Sequence, residues 1–543
     1  MEYIADQSRI YLFPAAVEEW VPSDHPARYI RTILDGVDLS SIGIVGRTSR
    51  EGHPSYHPRL LLSIWLYGYF QGLRSSRELE RACYEQLGMI WLLDGYRPDH
   101  NTIWRFFRDH RSSLERLLRT VGITAWKQGL VGTSLHAIDG TKIQSRSSNR
   151  TGYHDKSLQE ETARIESQIQ RWSKDMEQRQ AEEDEVHGPD GGGYGLPTGL
   201  VDSEAAREKL RTAIRTELKE SHDPSEATKQ DPTRQHESDR PSLATMRYKR
   251  QQLESRLSTC QQARAALQAA GTSHYHPVEP EAHMMQMKGM TTHKAFGYNA
   301  QILVDHTSGL ILETMVTDQE NDFHHLMPLI EQMERTYATT AHSTVADAGY
   351  ASHENFAAIA QWEATHEGQR LRTVIPKRFG GEDQHGQEPE PYAQSAFRYD
   401  AEKDVMICPQ HQILPQLQQR DRVSKNGFAY TSKRFQCQTA KDCPVSKECS
   451  SNARGRLVDY PSTQPIIEQH LKALNHSKAR KEMALRKVIV EPAFARIKQM
   501  MNVRRFLRFG LQNVKAEWAL VCLTHNLRKL FKQWKPALAS KPV

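Results

Sequence analysis

The stretch Ser134-Leu135-His136-Ala137-Ile138-Asp139-Gly140-Thr141-Lys142-Ile143 decides the fold of this chain. It marks a change of period. Upstream, HPRLLLSIWLYGYFQGL, SSRELERACYEQL and NTIWRFFRDHRSSLERLL carry apolar residues at helical spacing, with Ser75, Ser76 and Asn101 as N-cap candidates. From Ser134 onward the runs are short, apolar and bounded by turn residues, as strands are. YNAQILVDHTSGLILETMV reads as two strands joined at His306-Thr307-Ser308-Gly309, and STVADAG and RTVIPK read as two more. Strands followed by long helices indicate a mixed α/β core.

Two of these strands end in an acid and a glycine turn. Asp139 precedes Gly140-Thr141-Lys142, and Asp347 precedes Ala348-Gly349-Tyr350, so each carboxylate is left at the sheet edge. A lone strand-end Asp more often caps a turn. A third acid changes the weighing: Glu491 lies in the helical run KVIVEPAFARIKQ, at the edge of a stripe made by Val490, Phe494, Ile497 and Met501. Lys498 falls two helical turns further along the same face, ~10.5 Å on. Acids at neighbouring strand ends beside a helix-borne acid form an oxygen-rich site for Mg2+ or Mn2+. Two such ions are able to cut and rejoin a DNA backbone. From Lys478 to Arg508 the chain has ten Lys or Arg and two acids, Glu482 and Glu491. Such an excess is either a solvated face or a phosphate-binding surface, and an acid alone within it suits a metal ligand beside phosphate.

Composition limits the alternatives. With 543 residues the chain has room for several domains. A formal charge of +6 and a pI of 8.8 are only mildly basic, so overall charge by itself points weakly to nucleic acid. MEYIADQSRI has no basic start and no apolar core, so no secretory signal is expected. Leu60 to Tyr69 is the longest strongly apolar stretch and is too short for a span of ~20 residues. A soluble, cytoplasmic protein is the expectation. Seven cysteines there do not suggest a disulfide framework.

Two insertions interrupt the core. Leu158, Thr162, Ile165, Ile169, Trp172 and Met176 recur at steps of four and three, and Met246, Leu253, Leu257, Cys260 and Leu267 offer a second, poorer seam. A helical hairpin over 155–275 with a loose acidic, Gly-rich tip follows. The second insertion, 379–460, holds Cys408, Cys437, Cys443 and Cys449. These four match the ligand set of a structural Zn2+ site, with His411 as a rival ligand and inert thiols as the plainer reading. Cys83, Cys260 and Cys522 fall in helical patterns and read as packed small hydrophobes.

AIDGTKIQ, ADAGY and VEP-x-F-x3-K followed by RRFLRFGL, in this order, resemble the bacterial insertion-sequence DDE transposases with an RNase H-like core. Asp24-His25-Pro26, Tyr56-His57-Pro58, Ser75-Ser76-Arg77 and Pro98-Asp99-His100 resemble their InsH-type N-terminal domain. Gly297-Tyr298-Asn299-Ala300-Gln301 and His525-Asn526-Leu527 resemble further parts of that core. The resemblance implies Asp139, Asp347 and Glu491 as a triad holding two Mg2+ (or Mn2+), with Lys498 and Arg486 on terminal DNA. It also implies a homodimer in a synaptic complex, acting on inverted-repeat ends and target DNA in the bacterial cytoplasm. Met483 and the Val278-Glu279-Pro280-Glu281 stretch depart from the family's pattern. The expected order is a helical DNA-end-binding region (1–130), core (131–154), hairpin (155–275), core (276–378), cysteine-rich insertion (379–460) and closing helices (461–543). Arg105, Arg108 and Arg111 alternate with aromatics as a recognition helix does, and Arg504 and Arg505 extend the basic surface; an ordinary core-and-surface helix explains the former equally. Two further readings use the same acids: a non-catalytic DNA-binding repressor of transposon ends, and a metal-dependent nuclease that cuts without joining.

Overall fold

β1, His136–Gln144, is the strand from which the main sheet grows in both directions. The computed structural model describes residues 16–45, 55–187, 212, 243–287, 294–376, 391–424, 428–452, 454–474 and 476–539. They fall into two compact units, one of residues 1–149 with 278–543 and one of residues 150–277.

In the larger unit β1 pairs antiparallel along its whole length with β5, Lys294–Asp305, and parallel at its start with β7, Thr344–Val345. β4, His283–Gln286, and β6, Ile311–Thr317, run antiparallel to β5, and β8, Thr373–Val374, lies parallel beyond β7. The sheet is therefore mixed. β5 is buried continuously from Ala295 to Asp305, as a strand covered on both faces must be. One face, with Ile138 and Leu303, packs on the helices Leu326–Tyr337 and His353–Thr365. The opposite face, with Ala137, Ile143 and Ile302, packs on Ile489 and Val490 of the helix Ser477–Ala495 and on Trp518 of the helix Leu511–Ala539. That last helix is stitched to the sheet. Trp518 Nε1 donates to Gln301 O at 3.1 Å, and the Asn526 amide both accepts from Ile311 N at 2.8 Å and donates to Ile311 O at 2.7 Å.

The N-terminal helices begin where their caps dictate. His25 and His57 each precede a proline at the first helical position and accept from the backbone N–H of Ala27 and Arg59. Ser75 and Glu78 form a capping box for Ser76–Glu85. Asp99, rather than Asn101, caps His100–Asp109, because its carboxylate accepts from both Asn101 N and Thr102 N. Ser76 likewise lies one residue inside its helix.

In the 379–460 region the described residues form two small sheets that hydropathy patterning did not anticipate. β9, Arg398–Asp400, pairs β10, Val405–Ile407, which pairs β11, Ile413–Leu414; β12, Gln416–Val423, pairs β13, Ala429–Gln436, which pairs β14, Leu457–Pro461. Their core is only Phe397, Met406, Leu414, Phe435 and Val458.

The smaller unit has its own core. The helices Asp155–His187 and Leu243–Ala270 pack through Leu158, Ile165, Cys260, Ala263 and Leu267, with Ile169, Leu253 and Leu257 at the margin. Asp155 faces Arg264, Glu161 pairs Arg256 at 2.8 Å, and Lys249 sits over Trp172, an antiparallel register. A short ladder, β2 (Tyr153–His154) on β3 (His274–Tyr275), closes the base. The loose tip lies outside the described residues, apart from Thr212. No helix among the described residues is long and apolar enough to cross a membrane.

Candidate active site

β7 ends at Val345, whereas β1 runs on to Gln144, so β1 loses its parallel neighbour just before Asp139. Asp139 therefore lies inside β1 and not at a strand end as the Gly140 turn suggests, because pairing with β5 carries the strand on to Gln144. Asp347 follows β7 and caps the turn Ala348–Tyr350 through Gly349 N, 2.8 Å from Oδ1. Asp139 is 6% exposed; its Oδ1 accepts from Gly140 N at 2.8 Å and its Oδ2 from Arg486 Nη1 at 2.9 Å. The two acids share one buried neighbour, Tyr350. Burial pushes its hydroxyl well above the ordinary range, and Asp322, Asp139 and Asp347 push it the same way against Arg486.

Glu491 lies on the helix Ser477–Ala495, five residues beyond Arg486, with an exposed side chain that makes no hydrogen bond or ion pair among the described residues. Among those residues no three His, Cys, Asp or Glu stand at a spacing that would hold a metal ion. The regular two-turn step from Glu491 to Lys498 needs correction. The α-helix ends at Ala495, three residues past Pro492, and Arg496–Met500 is a π-turn. The wider turn changes where Lys498 points; its Nζ donates to Thr141 Oγ1 on β1, two residues from Asp139.

The basic segment that follows is bound to the sheet. Gln144 N donates to Arg504 O at 3.2 Å and Phe506 N to Gln144 O at 2.8 Å, which extends β1 by a bridge and leaves the Arg504 and Arg505 side chains exposed. Beneath it, Glu517 is fully buried and accepts from Arg74 Nη2 at 2.7 Å, Leu507 N at 3.0 Å and Arg508 N at 3.1 Å. Arg508 stacks over Trp65, Trp104 and Phe107, so its charge is spent inside the protein. Arg105 and Arg108 are exposed, Arg111 Nη1 donates to Asn513 at 3.1 Å, and Phe107 is core.

Patterning passed over a polar group beside the acids. Asn299 and Gln301, fully buried on β5, both donate to Asp322 Oδ1 at 2.7 Å, and Lys142 Nζ lies 3.5 Å from it. The signal was present: two amides in a strand covered on both faces need partners. Glu279 of the divergent Val278-Glu279-Pro280-Glu281 stretch is also buried, accepting from Tyr298 Oη at 2.9 Å and Ser147 N at 3.2 Å.

Cys408, Cys437, Cys443 and Cys449 line a single cavity, with every thiol free. Burial pushes the Cys449 thiol up; Arg456 opposes this, and the other three cysteines add to it. His411 is exposed and does not line the cavity.

A family model described as a transposase DDE domain matches residues 407–531, which contain the cysteine cluster, Glu491, Lys498 and Glu517. A second, described as a transposase domain (DUF772), matches the N-terminal helices over residues 15–109. Comparison with curated proteins found no match. Both family models, matched in order along one chain, indicate an insertion-sequence DDE transposase, and the DDE domain implies polynucleotidyl transferase activity with DNA cleavage and strand transfer.

Proposed function

We propose that the region around Asp139 in β1 and Asp347 just past β7 is the strand-transfer centre, with Asp139, Asp347 and Glu491 as its acids. The observation that carries this reading is that Asp139 lies within β1 just past the point where its parallel neighbour β7 stops, Asp347 follows β7, and a turn brings Lys498 onto β1 two residues from Asp139. The order β6-β5-β1-β7-β8, with β7 and β8 parallel to β1, supports an RNase H-like core.

Divalent ions such as Mg2+ are general to this family, and the oxygen donors here suit Mg2+ or Mn2+. When bound between such acids, they activate the attacking water and stabilise the leaving 3′ oxygen. The protein's own residues do the rest. Arg486 neutralises Asp139 and holds a positive charge where the scissile phosphate must lie. Lys498, anchored on Thr141, directs a second charge to the same place. Arg504 and Arg505 carry the flanking phosphates, and Arg105 and Arg108 meet the inverted-repeat end. A homodimer presents two ends together in the cytoplasm.

Glu491→Gln is the sharpest test, because an exposed, unpaired side chain has no structural duty. Unfolding should stay within ~0.5 kcal/mol of wild type. Cleavage and joining of a labelled inverted-repeat end should both fall by roughly 10²-fold or more. Cleavage at the wild-type rate removes Glu491 from the centre, and cleavage without joining in the unaltered protein favours the nuclease reading.

Cys408, Cys437, Cys443 and Cys449 have the donors of a structural zinc site and would draw together from their present spacing around one Zn2+. Elemental analysis should find one zinc per chain. Zinc-free folded protein with reactive thiols at these positions would rule it out.

A further inference from the structure

The polar group beside the acids has a feature that packing does not explain. Asp322 lies between β6 and the helix Leu326–Tyr337 and receives every donor on one oxygen: Asn299, Gln301 and Lys142 all face Oδ1. Oδ2 has no donor among the described residues. It points toward Gly349, just past β7. A Cβ placed on Gly349 would stand 3.3 Å from Asp322 Oδ2 and 2.8 Å from Asp347 Oδ1, and one on Gly140 would stand 3.0 Å from Asp322 Oδ1. Asp322 therefore reaches the backbone next to both Asp139 and Asp347, at two glycines where a side chain would crowd it.

The orientation is built in. Tyr350, buried and one residue past Gly349, donates its hydroxyl to Gln301 Oε1, which turns the Gln301 amide N–H toward Asp322. Gln301 also donates to Asn299 at 2.9 Å, so the pair of amides is locked. Asp347 is likewise held by Oδ1 alone, through Gly349 N. The carboxylates of Asp322 and Asp347 both border the Gly349 position, Asp322 through its undonated Oδ2, and two such charges are favoured by a cation beside them. Lys142 offsets the Asp322 charge at Oδ1, 3.5 Å away, and no donor among the described residues does so at Oδ2.

We propose that Asp322 is a fourth acid of the catalytic centre, directing its free oxygen to a divalent cation shared with Asp347. The inference rests on the assignment of Asp347 to that centre. Asp322→Asn keeps the acceptor for Asn299 and Gln301 and removes the charge. Asp322→Cys offers a soft donor in the same place.

The measurement is Mn2+ binding to the full chain by calorimetry, followed by Cd2+ binding to the cysteine variant by ultraviolet absorption, with thermal unfolding as the control for folding. Asp322→Asn should weaken Mn2+ binding at least tenfold with little change in melting. Cd2+ added to Asp322→Cys should produce a thiolate charge-transfer band above that of wild type, which a purely structural Asp322 would not give. Mn2+ binding unchanged in Asp322→Asn, with no added band in the cysteine variant, overturns the proposal. Asp347→Asn separates the two levels. If it loses Mn2+ while Asp322→Asn does not, only the fourth acid falls. If it too binds normally, or if wild type binds no Mn2+, the centre itself is misplaced.

Discussion

Asp139→Asn is expected to lower cleavage of a transposon end by about 10³-fold or more, in Mg2+ and Mn2+ alike, while end binding remains measurable. The substitution is nearly isosteric, and the side chain is 9% exposed, so no water fills the difference. An asparagine oxygen still accepts from Arg486 or Gly140 N, the two contacts that now hold the carboxylate. What disappears is the negative charge. Arg486, 16% exposed, then faces a neutral amide, a loss of about 1–3 kcal/mol in unfolding free energy. Binding depends on basic residues elsewhere and on salt, so gel-shift titrations at fixed ionic strength should change little. Cleavage near the wild-type rate would remove Asp139 from the centre.

Glu517→Ala is expected to cost about 3–5 kcal/mol of stability, the largest single effect in the chain outside the apolar core. Its carboxylate is fully buried and is, among the described residues, the one acid paired with the Arg74 guanidinium, itself 10% exposed. Removing it strands that cation and frees the N–H groups of Leu507 and Arg508. The segment carrying Arg504 and Arg505 loses one of its anchors at the same time, keeping those on Gln144, so DNA binding should weaken together with folding. Urea unfolding checks the first claim. Arg74→Ala with Glu517→Ala should lose less than the sum of the single changes, because each alone leaves an unpaired charge. A loss below about 1 kcal/mol in the single variant would show that the pair is replaceable by water.

Much of the fold was legible because period and turn chemistry are local. The change at Ser134, the hairpin at His306–Gly309 and the helical seam from Leu158 are each written within a dozen residues. The small sheets around the cysteines were not legible. Their strands are short, half-exposed and polar, as in QLQQRDRV over Gln416–Val423, so alternation carries no signal there. Lys498 was misplaced along its helix because a π-turn arises from how Pro492 and the packing of Ile497 are accommodated, not from spacing. Asp322 escaped notice because nothing around it in sequence marks an acid as special.

By itself, the sequence determined that Asp347 follows a strand and that Glu491 rides a basic helix, since these follow from neighbours along the chain. Only the tertiary structure decided that β1 continues through Asp139 to Gln144, that Arg486 closes on Asp139, that Lys498 rests on Thr141, and that Asp322 reaches Gly140 and Gly349 beside the two acids. Each of those pairings joins residues far apart in sequence, and its energy exists only once β1 is flanked on both faces. No local pattern encodes it.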